Sequence, residues 1–178
     1  RGQGDPVSSS INSQSGSTFA GVVAGTEEEY CLLAANSGYG FIAKISELQT
    51  KNKSGKAALN TKGAIPLGPE KFSSLDDSYI ASITEEGKML LIDSKDLPIL
   101  AKGKGNKIIS IDKKKFEAKE NRLIFIKTLQ KENDLKIFSG KQSYTIKAKD
   151  LENFVGTRGR KGNFLPKGYR KVDKIEII

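Results

Sequence analysis

Three short loops rich in lysine, arginine and glycine have the residue types and spacing to bind a charged ligand. They read KNKSGK at 51–56, KGKGNK at 102–107 and RGRKG at 158–162. Glycine permits positive φ angles and a close approach of ligand to backbone, while ammonium and guanidinium groups bind phosphate oxygens with little demand on base sequence. One such loop is more typical of a solvated turn, but three in one chain favour a nucleic-acid backbone as the ligand.

The loops recur at a nearly constant spacing. Gly4, Gly55, Gly105 and Gly159 are separated by 51, 50 and 54 residues, and the opening RGQGDPV matches the loop of a repeat whose earlier part is missing. A period of about 50 residues is typical of stacked or propeller-like arrays. Equivalent positions in such an array project from one side, so we expect the loops to form one continuous basic track.

Each repeat has the same order of parts, beginning at Tyr30, Tyr79 and Leu135. An apolar run leads into a polar turn, a second alternating run follows, and an acidic-leucine step (Glu47-Leu48 in the first repeat) precedes the glycine loop. This pattern predicts β-hairpins, and no window shows a helical stripe. The predicted strands are 30–35, 39–45, 79–84, 88–92, 106–111, 123–129, 135–138, 143–147 and 171–178.

The prediction is therefore an all-β fold of about three repeats plus a fragment, forming a single domain over 1–178. The repeat units are approximately 5–55, 56–105 and 106–162, followed by C-terminal strands in 163–178. The segment 5–18 is rich in Ser, Gly and Asn and is expected to be a flexible loop. The charged residues of 113–120 are expected to form a solvated loop between strands.

Charge also favours a polyanionic partner, because 30 Lys and Arg against 21 Asp and Glu give a net charge of +9. The excess is uneven: residues 1–50 contain two basic and five acidic side chains, whereas 51–178 contain 28 and 16. No membrane span or apolar leader is evident, and one cysteine excludes a disulfide framework. These features predict a reducing, cytoplasmic setting.

The absences exclude most enzyme classes. With no histidine and only Cys31, the chain cannot form a Ser-His-Asp or Cys-His arrangement or the usual zinc site, so we predict no catalytic residue, metal or cofactor. Gly38-Tyr39-Gly40 lacks the other glycines of a dinucleotide motif, and no P-loop spacing occurs. Adjacent acidic residues are expected to be solvated turn residues, Cys31 a core residue, and most aromatics to pack between sheets.

Whole phrases of the sequence resemble the C-terminal domains of the A subunits of bacterial topoisomerase IV, relatives of those of gyrase. They are SGYGFIAKISELQTKNKSGKAAL, DLPILAKGKGNKIISI and DLENFVGTRGRKGNFLPKGYRKVDKIEI, and a looser similarity covers nearly all 178 residues. The resemblance implies a β-pinwheel of four-stranded blades that exchange a strand between neighbours. It also implies a basic rim that binds and bends duplex DNA.

Transferred residue by residue, the resemblance implies a set of DNA contacts and loop glycines. The candidate contacts are Arg1, Lys51, Lys53, Lys56, Lys102, Lys104, Lys107, Arg158, Arg160 and Lys161, with Lys167 and Arg170 as secondary ones. The loop glycines are Gly4, Gly55, Gly103, Gly105, Gly159 and Gly162. The family's active-site tyrosine and its metal and ATP sites lie in other parts of the holoenzyme, and none can be transferred to this chain.

The sequence departs from gyrase in one respect. Gyrase A subunits have a heptad of glutamine, two arginines, two glycines, lysine and glycine that is needed for chiral wrapping, and 51–56 is at best a degenerate version. The resemblance therefore implies DNA capture for decatenation without strong negative supercoiling. Its implied partners are duplex DNA, the cleavage core of the same polypeptide and the B subunit of topoisomerase IV, on the bacterial nucleoid. A protein-interaction scaffold whose charge only steers a partner remains the alternative.

Overall fold

The computed structural model describes residues 4–178 and confirms a fold built mainly from antiparallel strands. Residues 4–178 contain four helices of only four or five residues: α1 (Val7–Ser10), α2 (Ile45–Leu48), α3 (Lys113–Glu117) and α4 (Ala148–Leu151). The strands are β1 (Tyr30–Ala34), β2 (Tyr39–Lys44), β3 (Glu70–Lys71), β4 (Ser78–Thr84), β5 (Lys88–Asp93), β6 (Asn106–Lys107), β7 (Leu123–Gln130), β8 (Leu135–Ser139), β9 (Gln142–Ile146), β10 (Asn163–Phe164) and β11 (Lys174–Ile177).

Three sheets, which we call blades, follow one another, each centred on a hairpin. The first has the order β3-β1-β2-β6, the second β10-β5-β4-β7 and the third β11-β8-β9. The hairpins β1/β2, β4/β5 and β8/β9 were all predicted, because alternating apolar residues flank a glycine-containing turn in each. The very short strands β3 and β10 were not, since two residues show no periodicity.

Neighbouring blades exchange a strand. The short strand β6 follows the second glycine loop but pairs with β2 of the first blade. Likewise β10 follows the third glycine loop and pairs with β5 of the second blade. Within residues 4–178, no strand pairs with the outer edge of β9. The second and third glycine loops are thus positioned by the hairpin of the preceding blade rather than by their own.

The core lies between the blades. The first interface packs Leu32 and Ile42 of the first blade against Ile80 and Ile92 of the second. The second packs one face of the second blade against Leu135, Ile137 and Ile146 of the third. That face of the second blade comprises the cross-strand pairs Ala81 with Leu91 and Ile83 with Met89, all fully buried.

The two ends of this stack differ in polarity. On the first blade, the face away from the second contains Cys31, Phe41 and Ala43, which are fully buried. Burial raises the pKa of the Cys31 thiol, and its assignment to the core is confirmed. On the third blade, the face equivalent to that of Ala81, Ile83, Met89 and Leu91 contains instead Lys136, Phe138, Ser143 and Thr145.

Four predictions are corrected. The segment 5–18, predicted to be a flexible loop, contains α1 over Val7–Ser10. The strand predicted over 106–111 ends at Lys107, because Ile108 and Ile109 are buried in the core without a sheet partner. The strand predicted over 171–178 begins only at Lys174. In place of the predicted solvated loop, residues Lys113–Glu117 form α3, whose N-cap Asp112 accepts a hydrogen bond from the Lys115 backbone N–H at 3.1 Å. Among residues 4–178, every helix is too short to cross a bilayer.

Candidate nucleic-acid interface

The second glycine loop is a chain reversal at the outer edge of β2. Before the loop, Ile99 forms a parallel bridge with Ile42, whose backbone N–H donates to the Pro98 carbonyl at 3.0 Å. After the loop, β6 runs antiparallel beside Tyr39 and Gly40. Residues 101–105 connect these two passes, so the loop projects from the edge of the blade.

The third glycine loop repeats this arrangement on β5. Val155 forms a parallel bridge with Leu91, and the Gly156 backbone N–H donates to the Leu91 carbonyl at 2.9 Å. After the loop, β10 pairs with Lys88 and Met89. The two loops are therefore structurally equivalent, as the repeat pattern predicts.

The pairing also corrects the alignment of the loop glycines. Gly105 precedes the Asn106–Gly40 pair and Gly162 precedes the Asn163–Met89 pair, so Gly162 is the equivalent of Gly105. Both have positive φ, and an added Cβ would lie 2.0 Å from the Gly40 carbonyl oxygen and 2.5 Å from that of Met89. Aligning Gly159 with Gly105 was therefore wrong by three residues.

The second and third glycine loops are each hydrogen-bonded through the backbone to the segment that follows the preceding loop. Gly103 of the second loop donates to the Ala58 carbonyl and accepts from the Asn60 N–H, both at 2.8 Å, just after the first loop. In the same way, the Gly159 N–H donates to the Ile108 carbonyl at 2.8 Å, just after the second loop. The three loops are thus linked in series through the segments 57–60 and 108–110, and we call the surface that the three loops form the basic edge.

The candidate cations lie on or beside this edge and remain available to a ligand. Within residues 4–178, the twelve ion pairs involve other lysines and Arg122, and none involves a candidate contact. Three candidates are half-buried: Lys104, Lys107 and Arg158. The exposed ones are Lys51, Lys53, Lys56, Lys102, Arg160, Lys161, Lys167 and Arg170. Arg1 lies outside the described residues.

Two of the loop candidates have a polar contact within the protein. Arg158 donates from Nη1 to the Lys107 carbonyl at 2.9 Å, which ties the third loop to the end of the second. Lys56 donates from Nζ to the Glu47 carbonyl. Both contacts are to neutral carbonyl oxygens, so the positive charge of each side chain is not cancelled.

Aromatic rings hold several cations at the edge. Lys104 Nζ lies 3.7 Å from the centroid of the Tyr39 ring. At the equivalent place on the second blade, Lys88 Nζ and Arg170 Cζ lie 4.7 and 4.3 Å from the centroid of Phe164. Such contacts orient a cation without neutralising it, and Lys88 additionally forms an ion pair with Glu86 at 3.8 Å. Phe164 is 49% exposed, so its predicted role as packing between sheets is wrong.

The sequence interpretation missed two cations. Lys62, which has a φ of 52°, lines a surface cleft of about 670 Å³ together with Lys102 and Gly103. Lys88 contacts Phe164 from a strand rather than from a loop. No sequence signal identifies Lys62, whereas Lys88 could have been found from the equivalence of its position to Tyr39 at the start of β2.

Acidic groups also lie beside the edge, and Asp112 and Glu86 line the same cleft as Lys161. Asp112 shares a small cleft of about 110 Å³ with Lys115 and Lys161. The hydrogen bond from the Lys115 backbone N–H lowers the pKa of Asp112, and the charge of Lys161 contributes to the shift. Lys161 is thus partly compensated, and Arg160 should be the stronger phosphate contact of the pair. Within residues 4–178, His, Cys, Asp and Glu form no group that could hold a metal ion.

The chain is similar in sequence to the A subunit of DNA topoisomerase 4 from several bacteria. The identity is 38% with the protein from Pseudomonas aeruginosa, over 99% of this chain and 24% of that protein. It is 35% with the Haemophilus influenzae protein, over 100% and 24%. The chain therefore spans about a quarter of the length of these relatives. No protein-family model matches it.

Comparison of structures gives the deciding observation. The C-terminal domain of Escherichia coli ParC superposes with a TM-score of 0.89 at 31% identity, covering 100% of this chain and 72% of that one. The chain belongs to the family of ParC C-terminal domains, from the A subunits of topoisomerase IV. Its fold is accordingly the β-pinwheel of this family. The gyrase A C-terminal domain has a TM-score of 0.64 at 15% identity, which shows a shared fold alone.

Proposed function

We propose that this ParC C-terminal domain binds duplex DNA along the basic edge, as a non-catalytic accessory module. The observation that supports this best is the backbone hydrogen bonding of the second and third glycine loops to the segments that follow the preceding loops, because it links the cation-bearing loops of neighbouring units in series. A row of cations matches the repeating charge of a phosphate backbone. Contacts of this kind position a protein on DNA without selecting a sequence.

Within the whole enzyme, we propose that the module captures the DNA segment to be transported and presents it to the cleavage core of the same polypeptide. The holoenzyme, formed with the B subunit of topoisomerase IV, would be an ATP-hydrolysing topoisomerase that decatenates DNA and relaxes supercoils on the nucleoid in the bacterial cytoplasm. The support is membership of the family, since its full-length relatives are named topoisomerase subunits. The absence of the gyrase heptad favours bending of DNA over chiral wrapping.

The proposal is tested by the affinity for a linear duplex of mixed sequence across a salt series. The test variant combines Lys102→Glu, Lys104→Glu, Arg158→Glu and Arg160→Glu. We expect a steep fall of affinity with salt for the native chain. Each phosphate contact contributes about 0.9 to the slope of log K against log salt, so losing four should flatten it by about 3.6.

The control variant has the same net charge change outside the glycine loops. It combines Lys114→Glu, Lys119→Glu, Lys136→Glu and Lys149→Glu, and none of these lysines forms an ion pair within residues 4–178. We expect its slope to stay close to the native value. Equal binding by both variants would mean that the loops are ordinary solvated turns and would favour the scaffold alternative.

A further inference from the structure

Two aliphatic side chains are exposed at equivalent positions of neighbouring blades. Ile99 is 54% exposed and Val155 is 42% exposed. Each forms a parallel bridge to the same position of the second hairpin strand, which is Ile42 in β2 and Leu91 in β5. A single exposed aliphatic needs no explanation, but exposure repeated at one register marks a feature of the surface.

Both side chains belong to the basic edge. Ile99 lies beside Ile42 and Asn106 lies beside Gly40, on the same side of β2. Two residues of a strand span about 7 Å, so Ile99 is about that far along the edge from the short strand that ends the glycine loop. Val155 has the same relation to β10. Each aliphatic therefore lies on the same strand edge as the loop that carries the cations.

The backbone holds these side chains in place. The Leu100 N–H donates to the Ile42 carbonyl at 2.8 Å, and the Ile42 N–H donates to the Pro98 carbonyl at 3.0 Å. On the second blade, the Gly156 N–H donates to the Leu91 carbonyl at 2.9 Å. Because the backbone is already fixed, contact of these side chains with a ligand costs little additional backbone entropy.

We propose that Ile99 and Val155 act as apolar wedges that enter the minor groove of a duplex bound along the basic edge, and so set its bend. This proposal rests on the proposed function. An aliphatic group inserted at a base step unstacks it and kinks the duplex, while cations on either side hold the adjacent phosphates. Because neither side chain has a polar atom, preference arises only from the flexibility of steps such as TA and CA.

The proposal separates bending from binding, and the experiment measures both on the native chain and a double variant. The variant is Ile99→Ser with Val155→Ser, which leaves every charge of the basic edge in place. The probe is a duplex of about 30 base pairs, well below the persistence length of about 150, with a fluorescence donor and acceptor at its two ends. The control is Ile65→Ser, since Ile65 is 61% exposed in the cleft beside Phe116 and lies outside the basic edge.

We expect energy transfer between the DNA ends to rise on binding of the native chain and of the control. For the double variant, we expect at least about half of that rise to be lost while the salt slope of binding is unchanged, because the slope reports phosphate contacts only. An unchanged rise with binding retained would overturn the wedge alone and make Ile99 and Val155 candidates for protein contact. Absence of salt-dependent binding by the native chain would overturn the proposed function and the wedge together.

Discussion

At the residue scale, Gly105 shows how the loop depends on the neighbouring blade. Its φ of +74° is a conformation that side chains with a Cβ rarely adopt, and an added Cβ would lie 2.0 Å from the Gly40 carbonyl oxygen. Gly55 aligns with Gly105 in the sequence repeat and has a φ of +82°, but no atom lies within 4 Å of its Cβ position. Substituting Gly55 therefore measures the cost of backbone strain alone, whereas substituting Gly105 adds the steric clash with the strand that it approaches.

We predict that Gly105→Ala lowers the free energy of unfolding by at least about 3 kcal/mol, because it adds a clash with backbone to the strain of positive φ. Gly55→Ala, as the matched control, should lose only about 1 to 2 kcal/mol, from the strain alone. Urea unfolding followed by circular dichroism measures both. Equal losses in the two variants would contradict the close contact between the second loop and β2.

At the scale of the element, the third hairpin differs from the first two in its outer edge. The edge of β5 is covered first by Val155 and then by β10. The equivalent edge of β9 has no strand partner within residues 4–178, and Gln142, Ser143 and Tyr144 are exposed. Short strands with polar residues commonly protect the open edge of a sheet from pairing with a strand of another molecule.

We predict that every second backbone amide of β9 exchanges its hydrogen at least about 100-fold faster than the matched amides of β5, because those amides face solvent instead of a paired strand. Hydrogen exchange followed residue by residue in the NMR spectrum measures the rates. The amides of β9 that face β8 serve as the internal control and should stay protected. Uniform protection along β9 would mean that another segment covers this edge.

How much of the molecule can be predicted from sequence depends on the length of the element. The central hairpins were predicted because alternation over five or more residues and a turn glycine act together, as at Tyr30–Ala34 and Tyr39–Lys44. β3 and β10 have two residues each, and only the edge they pair with determines them. The misalignment of Gly159 has a local cause. From the leucine of the acidic-leucine step to the bridging residue there are two residues in the second unit (Leu97 to Ile99) and four in the third (Leu151 to Val155), and from there to the strand-exchange glycine there are six and seven.

The candidate site was predictable in composition but not in arrangement. The loop cations were identified because lysine and arginine beside glycine recur with the repeat. The hydrogen bonds from Gly103 to Ala58 and from Gly159 to Ile108 could not be predicted, because they depend on how one unit docks on the next. The same holds for Lys88 and Arg170 over Phe164, which are brought together by the register of β10 with β5.

At the scale of the whole molecule, the blades form a stack with two unlike ends. In the second blade, Leu91 is fully buried against the third. The equivalent residue of the third blade is Thr145, which lies on a half-exposed face with Lys136 and Phe138. On this face, the amines of Lys136 and Lys174 each lie 5.2 Å from the centroid of the Phe138 ring. A polar outer face is typical of the terminal repeat of an array.

We predict that Leu91→Ala lowers the free energy of unfolding by about 2 to 5 kcal/mol, because it leaves a cavity between two blades. Thr145→Ala, at the equivalent position, should change it by less than about 0.5 kcal/mol, since one face of this residue is already open to solvent. Thermal unfolding measured by calorimetry compares the two. A large loss for Thr145→Ala would mean that its face of the third blade is packed against another surface.

Strand exchange also has a mechanical consequence. The second and third glycine loops are each hydrogen-bonded both to the hairpin of the preceding blade and to the segment that follows the preceding loop. When a stiff ligand pulls on one loop, several hydrogen bonds across the boundary between two blades therefore carry the load together. A loop attached only to its own hairpin would instead lose its hydrogen bonds one at a time. The basic edge therefore transmits the tension from blade to blade. A force that bends the bound ligand also pulls neighbouring blades towards each other.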